Sequence, residues 1–169
     1  IINELDKRLK EYNKNLNMPF VLGESQYEGF EGNDIGTPKQ VRRQPYWCLL
    51  SGGAGSAYGS RLWFFPSDWK EMIEYPGAWQ QKHFIDFFKK IKWYKLKPDQ
   101  EHQFAIEGFG QYGATDFVVT AISEDKKSAV SYFHLKQSVK YDLKKLVIKN
   151  VKMKWYDPRT GKYTRSEKI

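Results

Sequence analysis

A chain of 169 residues, with 40% hydrophobic and 17% aromatic side chains, can hold one domain or parts of two and is too apolar to be disordered. Its one cysteine, Cys48, excludes an internal disulfide framework and a structural zinc site, and its place between Trp47 and Leu49 makes it a buried, inert thiol. The net charge of +8 is uneven, with 15 Lys/Arg against 13 Asp/Glu in residues 1–102 and 13 against 7 in residues 103–169; such a bias can attract nucleic acid or an anionic polysaccharide, but without a nucleic-acid motif it reads as a solvated face.

Ile1, Ile2, Leu5, Leu9 and Tyr12 recur at helical spacing, with charged residues on the other side, and Asn13 to Asn17 end that helix. The chain opens already inside this pattern, so a longer protein that carries its own targeting signal is expected to precede it. No apolar run reaches the length of a membrane span. Phe20-Val21-Leu22 then reads as a buried strand that ends at Gly23 and Glu24, followed by Tyr27, Glu28 and a Gly-rich loop to Gly36. In α/β barrels catalytic groups sit where strands give way to loops, which makes Glu24 the first candidate for chemistry. Thr37-Pro38 starts a helix that runs past Pro45 to Ser51-Gly52-Gly53. Helix, strand, loop and helix in this order suit an α/β barrel or a doubly wound sheet.

Gly52 to Ser60 has the look of a nucleotide loop, but Tyr58 stands where the third fingerprint glycine belongs and Arg61-Leu62-Trp63 starts no helix. A short, crowded strand is the expectation there. Trp63, Phe64, Phe65 and Trp69 form an aromatic loop, read either as a packed lid or as rings that stack on a sugar. A strong helix follows from Gly77 to Ile91, with Lys89, Lys90 and Lys92 at its end and a structural His83. Beyond Gln103 the pattern turns to period two. Strands are expected at 117–122, 129–133, 139–143, 147–148 and 151–156, with a turn at Asp157-Pro158-Arg159-Thr160-Gly161 and no closing strand after it. The chain thus divides into an α/β part, 1–100, and an all-β part, 103–169. No His/Cys/Asp cluster suggests a metal, no Ser-His-Asp arrangement is evident, and no cofactor is expected.

The runs Pro19 to Glu28, Arg42 to Trp47 and Leu50 to Gly59, with Leu62-Trp63, Trp69, Pro76-Gly77-Ala78 and Leu96 to Asp99, resemble the apiosidase-like family of (β/α)8 glycoside hydrolases. The β-part, with Trp155 to Gly161, is similar to the domain named for collagen binding that follows this barrel. The resemblance implies the C-terminal portion of a TIM barrel followed by a small antiparallel β-sandwich that is itself cut short. Residues 1–15 would be the sixth helix, Phe20–Glu24 the seventh strand, Ala54–Tyr58 the eighth and residues 77–92 the last helix. It implies a glycosidase acting on plant or other complex polysaccharide, in a secreted or periplasmic parent. Glycoside hydrolysis normally needs two carboxyl groups. Glu24 would be the nucleophile and the general acid would come from an earlier strand outside the sequence, which leaves this piece alone inactive. Tyr27 or Arg42 could keep Glu24 ionised. Glu28 would contact a sugar hydroxyl or pair with Arg42 or Arg43, and Tyr27, Tyr58 and Trp63 are further substrate contacts. The alternative is a non-catalytic carbohydrate- or protein-binding module that uses Tyr132, Trp155 or Tyr156; Trp155 and Tyr156 would face opposite sides of a strand, so one of them belongs to the core.

Overall fold

The computed structural model describes residues 19–30 and 36–168. The expected helix at 1–15 and Gly32 of the loop lie outside the described residues. The architecture is mixed α/β with small antiparallel sheets, and Cα proximity groups the described chain into two compact units. One takes in the segment ending at Val21, Trp47–Gly55 and Lys92–Lys149; the other takes in Leu22–Tyr46, Ser56–Ile91 and the segment from Asn150.

The α/β elements come first. Strand β1 is short, Val21–Leu22, and pairs with β2, Gly55–Ser56. Ala54 N–H donates to the Phe20 carbonyl and Ala57 N–H to that of Leu22, so donors and acceptors advance together, in the sense of a parallel pair. Helix α1, Pro38–Leu50, lies between them. Thr37 caps it as expected, its Oγ1 accepting the Gln40 N–H at 3.2 Å, and the helix continues through Pro45, which carries no N–H to donate. Crowding around β2 is also as expected: a Cβ on Gly53 would lie 2.5 Å from Cys48 Sγ, and Cys48 is fully buried. A 3-10 turn at Arg61–Phe64, the short helix α2, Trp69–Ile73, and the helix α3, Pro76–Phe88, follow.

The unit containing Lys92–Lys149 holds three antiparallel strands in the order β3-β5-β6. They are Leu96–Pro98, Val119–Ser123 and Ala129–Tyr132. Leu96–Pro98, expected to be only a lead-out from the last helix, is thus the edge strand of this sheet, where Pro98 costs no ladder bond that a central strand would need. Val118, Val119, Ala121 and Tyr132 are buried, and the Thr120 and Ser131 hydroxyls meet across the strands at 2.8 Å. A second pair joins β4, Ala105–Glu107, to β7, Lys140–Tyr141. The Asp99 carboxylate leads into β4 by accepting the N–H groups of Gln103, Phe104 and Ala105. Val147-Ile148 is not a strand; the Val147 N–H donates to the Lys126 carbonyl. After the 157–161 turn a strand does follow: β9, Lys162–Lys168, returns along β8, Lys152–Asp157.

In the other unit the core is aromatic. The Tyr46 ring meets Phe84 and Phe88 of α3 at 5.0 and 5.7 Å, and Phe87 meets Tyr156 of β8 at 4.8 Å. The Tyr156 hydroxyl donates to the His83 carbonyl at 2.8 Å, so the β8–β9 hairpin is fastened by its turn end to α3. The His83 ring packs on the hairpin turn: a Cβ on Gly161 would lie 2.5 Å from its Nδ1.

Candidate functional site

The loop after β1 carries Glu24, Tyr27 and Glu28, and its course is set by Glu28. The backbone of Glu28 bridges to Ser60 in parallel, its N–H donating to the Gly59 carbonyl and its carbonyl accepting the Arg61 N–H. The side chain then turns inward and is 3% exposed. One oxygen accepts the Tyr58 hydroxyl at 2.7 Å, and the other accepts the Gly77 N–H at 2.9 Å. Gly77 lies in the first turn of α3, where N–H groups have no partner within the helix and the helix dipole favours a negative charge. Tyr75, the N-cap of α3, offers no side-chain cap, and the Glu28 carboxylate fills that role. A side chain at 77 would displace its neighbours, because a Cβ there would sit 2.2 Å from Glu28 Oε2 and 2.4 Å from Val41 Cγ2. Burial and the hydrogen bond to this carboxylate push the Tyr58 phenol well above its ordinary value.

Glu24 is in the opposite situation. It stands two residues beyond β1, exposed, and accepts the Tyr27 hydroxyl at 3.1 Å. That bond and the carboxylate charge raise the Tyr27 phenol. The Tyr27 ring lies over Gly59, whose absent Cβ would be 2.5 Å from it, and meets the edge of Phe30 at 6.0 Å. Phe30 in turn meets Phe64 at 5.8 Å. Trp63, Phe64 and Phe65 project from the 3-10 turn, with Trp63 71% and Phe65 85% exposed, and Phe65 holds a left-handed backbone at φ 48°. Exposed rings beside a carboxylate suit a sugar, whose apolar face stacks while its hydroxyls are hydrogen-bonded.

The candidate residues therefore fall into two groups. Glu24 and Tyr27 meet in the open, and Glu28 and Tyr58 meet in the packed interior. Arg42 donates to Gln80, Arg43 to Gln40, and the Tyr27 hydroxyl to Glu24. Gly59, Gly77 and Phe30 shape the site without having been singled out in the sequence. Among the described residues no group of His, Cys, Asp and Glu could hold a metal ion, and no helix is long and apolar enough to cross a membrane.

Comparison with known proteins bears on both parts of the chain. Residues 3–95 match the family model "Apiosidase-like, catalytic domain", and residues 98–169 match "Putative collagen-binding domain of a collagenase". A glycoside hydrolase family 5 protein from Bacteroides vulgatus ATCC 8482 has a similar structure, with a TM-score of 0.82 at 20% identity, over 98% of this chain and 39% of that one. A structure described as a glycoside hydrolase matches with a TM-score of 0.76 at 20% identity, over 98% of this chain and 42% of that one. The chain thus spans about two fifths of the length of either. No curated protein matches it.

Proposed function

Because this chain belongs to the apiosidase-like family, we propose that it is the C-terminal part of a glycoside hydrolase acting on plant or other complex polysaccharide. In this reading β1 and β2 are the seventh and eighth strands of a (β/α)8 barrel, residues 1–100 complete the barrel, and residues 103–169 form the following domain of a secreted or periplasmic protein. What carries the proposal is the exposed Glu24 carboxylate at the end of a strand, held by Tyr27 and flanked by the Phe30–Phe64 rings.

Glu24 is the catalytic carboxylate. The Tyr27 hydroxyl donates to Glu24 Oε1 and so fixes the direction of the carboxylate. The carboxylate attacks the anomeric carbon while a second carboxyl group, supplied by a part of the barrel outside this chain about 5–5.5 Å away, protonates the departing oxygen. Trp63 stacks on the sugar. Tyr58 commits its proton to Glu28 and so meets a substrate hydroxyl only through its oxygen lone pairs or ring edge. Glu28, expected as a sugar contact, is buried with both oxygens engaged, so its role is to position Tyr58 and the start of α3.

The test is release of reducing sugar from a panel of plant cell-wall polysaccharides by the full-length protein and its Glu24→Gln variant. A rate loss of about 10³-fold or more with an unchanged melting curve supports the assignment. Unchanged activity removes Glu24 from the chemistry. Glycan binding without hydrolysis in the wild type turns the reading to a carbohydrate-binding module.

A further inference from the structure

The β8–β9 hairpin is a two-stranded ribbon that carries six cations, Lys152, Lys154, Arg159, Lys162, Arg165 and Lys168, against two anions, Asp157 and Glu167. Both anions are taken within the ribbon: Arg159 pairs with Asp157 at 2.9 Å, and Arg165 with Glu167. The charge left over belongs to lysines, and their placement is not random. Residues two apart on a strand share a face, as do directly paired residues of an antiparallel ladder. Lys152 lies opposite Lys168, and Lys154 lies opposite Ser166, so three ammonium groups gather on one face at the end of the hairpin away from its turn. All four of these residues are exposed.

Like charges directly opposite one another destabilise a strand pair. Lys152 and Lys168 form such a pair on a two-stranded ribbon, whose other end is fastened to α3 through Tyr156 and His83. Folding gains nothing from the Lys152–Lys168 pair, whereas an anion set between the lysines would gain from all three. Next along the same face, Tyr163 is 49% exposed and Lys154 Nζ lies 5.5 Å from its ring centre. A ring beside ammonium groups suits a ligand that is both apolar-faced and acidic, which a uronic acid unit is. The arginines, which would grip a phosphate in a bidentate fork, are the residues already committed to carboxylates of the chain itself.

We propose that the Lys152–Lys154–Lys168 face of the hairpin is a docking surface for an acidic polysaccharide, a sugar polymer with repeated carboxylates. The choice of a sugar polymer over another polyanion rests on the glycoside-hydrolase reading above. The surface holds the polymer by charge and by the Tyr163 ring, at a place where no bond is broken.

The experiment titrates the protein with polygalacturonate, with its fully methyl-esterified form as a neutral polymer of the same backbone, and with a single-stranded oligonucleotide. Wild type is expected to bind polygalacturonate, to ignore the methyl ester, and to lose affinity as salt rises from about 0.01 M to about 1 M, where the Debye length shrinks from about 30 Å to about 3 Å. The triple variant Lys152→Ala, Lys154→Ala, Lys168→Ala should lose about tenfold or more in affinity with no fall in melting temperature, since it removes a like-charge pair. Glu24→Gln should bind as wild type does. Equal binding by the triple variant or by the methyl ester overturns the proposal. Tighter binding of the oligonucleotide also overturns it, because the surface is then one for nucleic acid. Lysine-dependent binding in a protein that hydrolyses no glycan would sink the hydrolase reading and leave the docking surface standing; hydrolysis without such binding would do the reverse.

Discussion

Four residues apart on one loop, the chain presents the same chemical pair twice, a glutamate that accepts a hydrogen bond from a tyrosine hydroxyl. Glu24 and Tyr27 form the pair in the open, and Glu28 and Tyr58 form it in the packed interior, where a helix N-terminus joins them. The chemistry is the same and the consequence differs. In water the bond is in exchange with solvent and its loss is tolerated; in the interior every donor left behind is stranded without a partner. Burial is what sets an open carboxylate apart from one that holds the fold.

That contrast can be broken by exchanging the losses. Glu24→Gln is expected to cost about 10³-fold in sugar release, about 4 kcal/mol of barrier, with the melting temperature of wild type. A large fall in melting temperature would show Glu24 to be structural after all. Glu28→Ala should do the opposite first, stranding the Gly77 N–H and the Tyr58 hydroxyl at a cost of about 2–5 kcal/mol, read as a drop of roughly 10 °C in a thermal melt. Gly77→Ala tests the same cluster from the helix side and should cost about 1–3 kcal/mol, because the new methyl group and Glu28 cannot both keep their places.

Smaller effects sharpen the comparison through pH. The Tyr58 phenol is raised in the folded protein, so its contribution to stability is complete below the unfolded value of about 10 and is lost as pH climbs above it. Urea melts at rising pH should show stability falling above about pH 10, and Tyr58→Phe, less stable at neutral pH by about 1.5–3 kcal/mol, should show a shallower fall. An equal slope in both proteins would remove Tyr58 as its source. The last effect is the mildest. Tyr27 is raised by its bond to Glu24, so Glu24→Gln should bring its ionisation back down towards about 10 in an NMR titration.

The parts of the fold legible in the sequence are those specified locally. Thr37-Pro38 announces α1, the apolar spacing announces α3, and Phe117 to Phe133 announces the β5–β6 hairpin with its charged turn. What was hidden depends on partners far along the chain. Gly77 beside Pro76 reads as an ordinary helix start, and only the arrival of Glu28, 49 residues earlier, makes it indispensable. Glu24 and Glu28 are both carboxylates in one loop, and nothing local says which one turns inward. β9 was missed because almost every residue in it is exposed, leaving no alternation to see; its pairing with β8 supplies the order that its own pattern lacks. Leu96–Pro98 ends in a proline that looks like a stop and is tolerated because the strand is at an edge. Val147-Ile148 erred the other way, since β-branched residues favour a strand only when one is there to pair with.

The carboxylate seated on the first turn of α3 also bears on how that helix frays. Amide protons in a first turn ordinarily exchange with solvent in the time it takes to mix, since nothing in the helix holds them. The Gly77 amide is held by a buried side chain, so it can exchange only when the loop carrying Glu28 lifts away. Exchange in the first turn of α3 should therefore be slow where helices are usually fastest, so that the Gly77 proton becomes a reporter of loop opening.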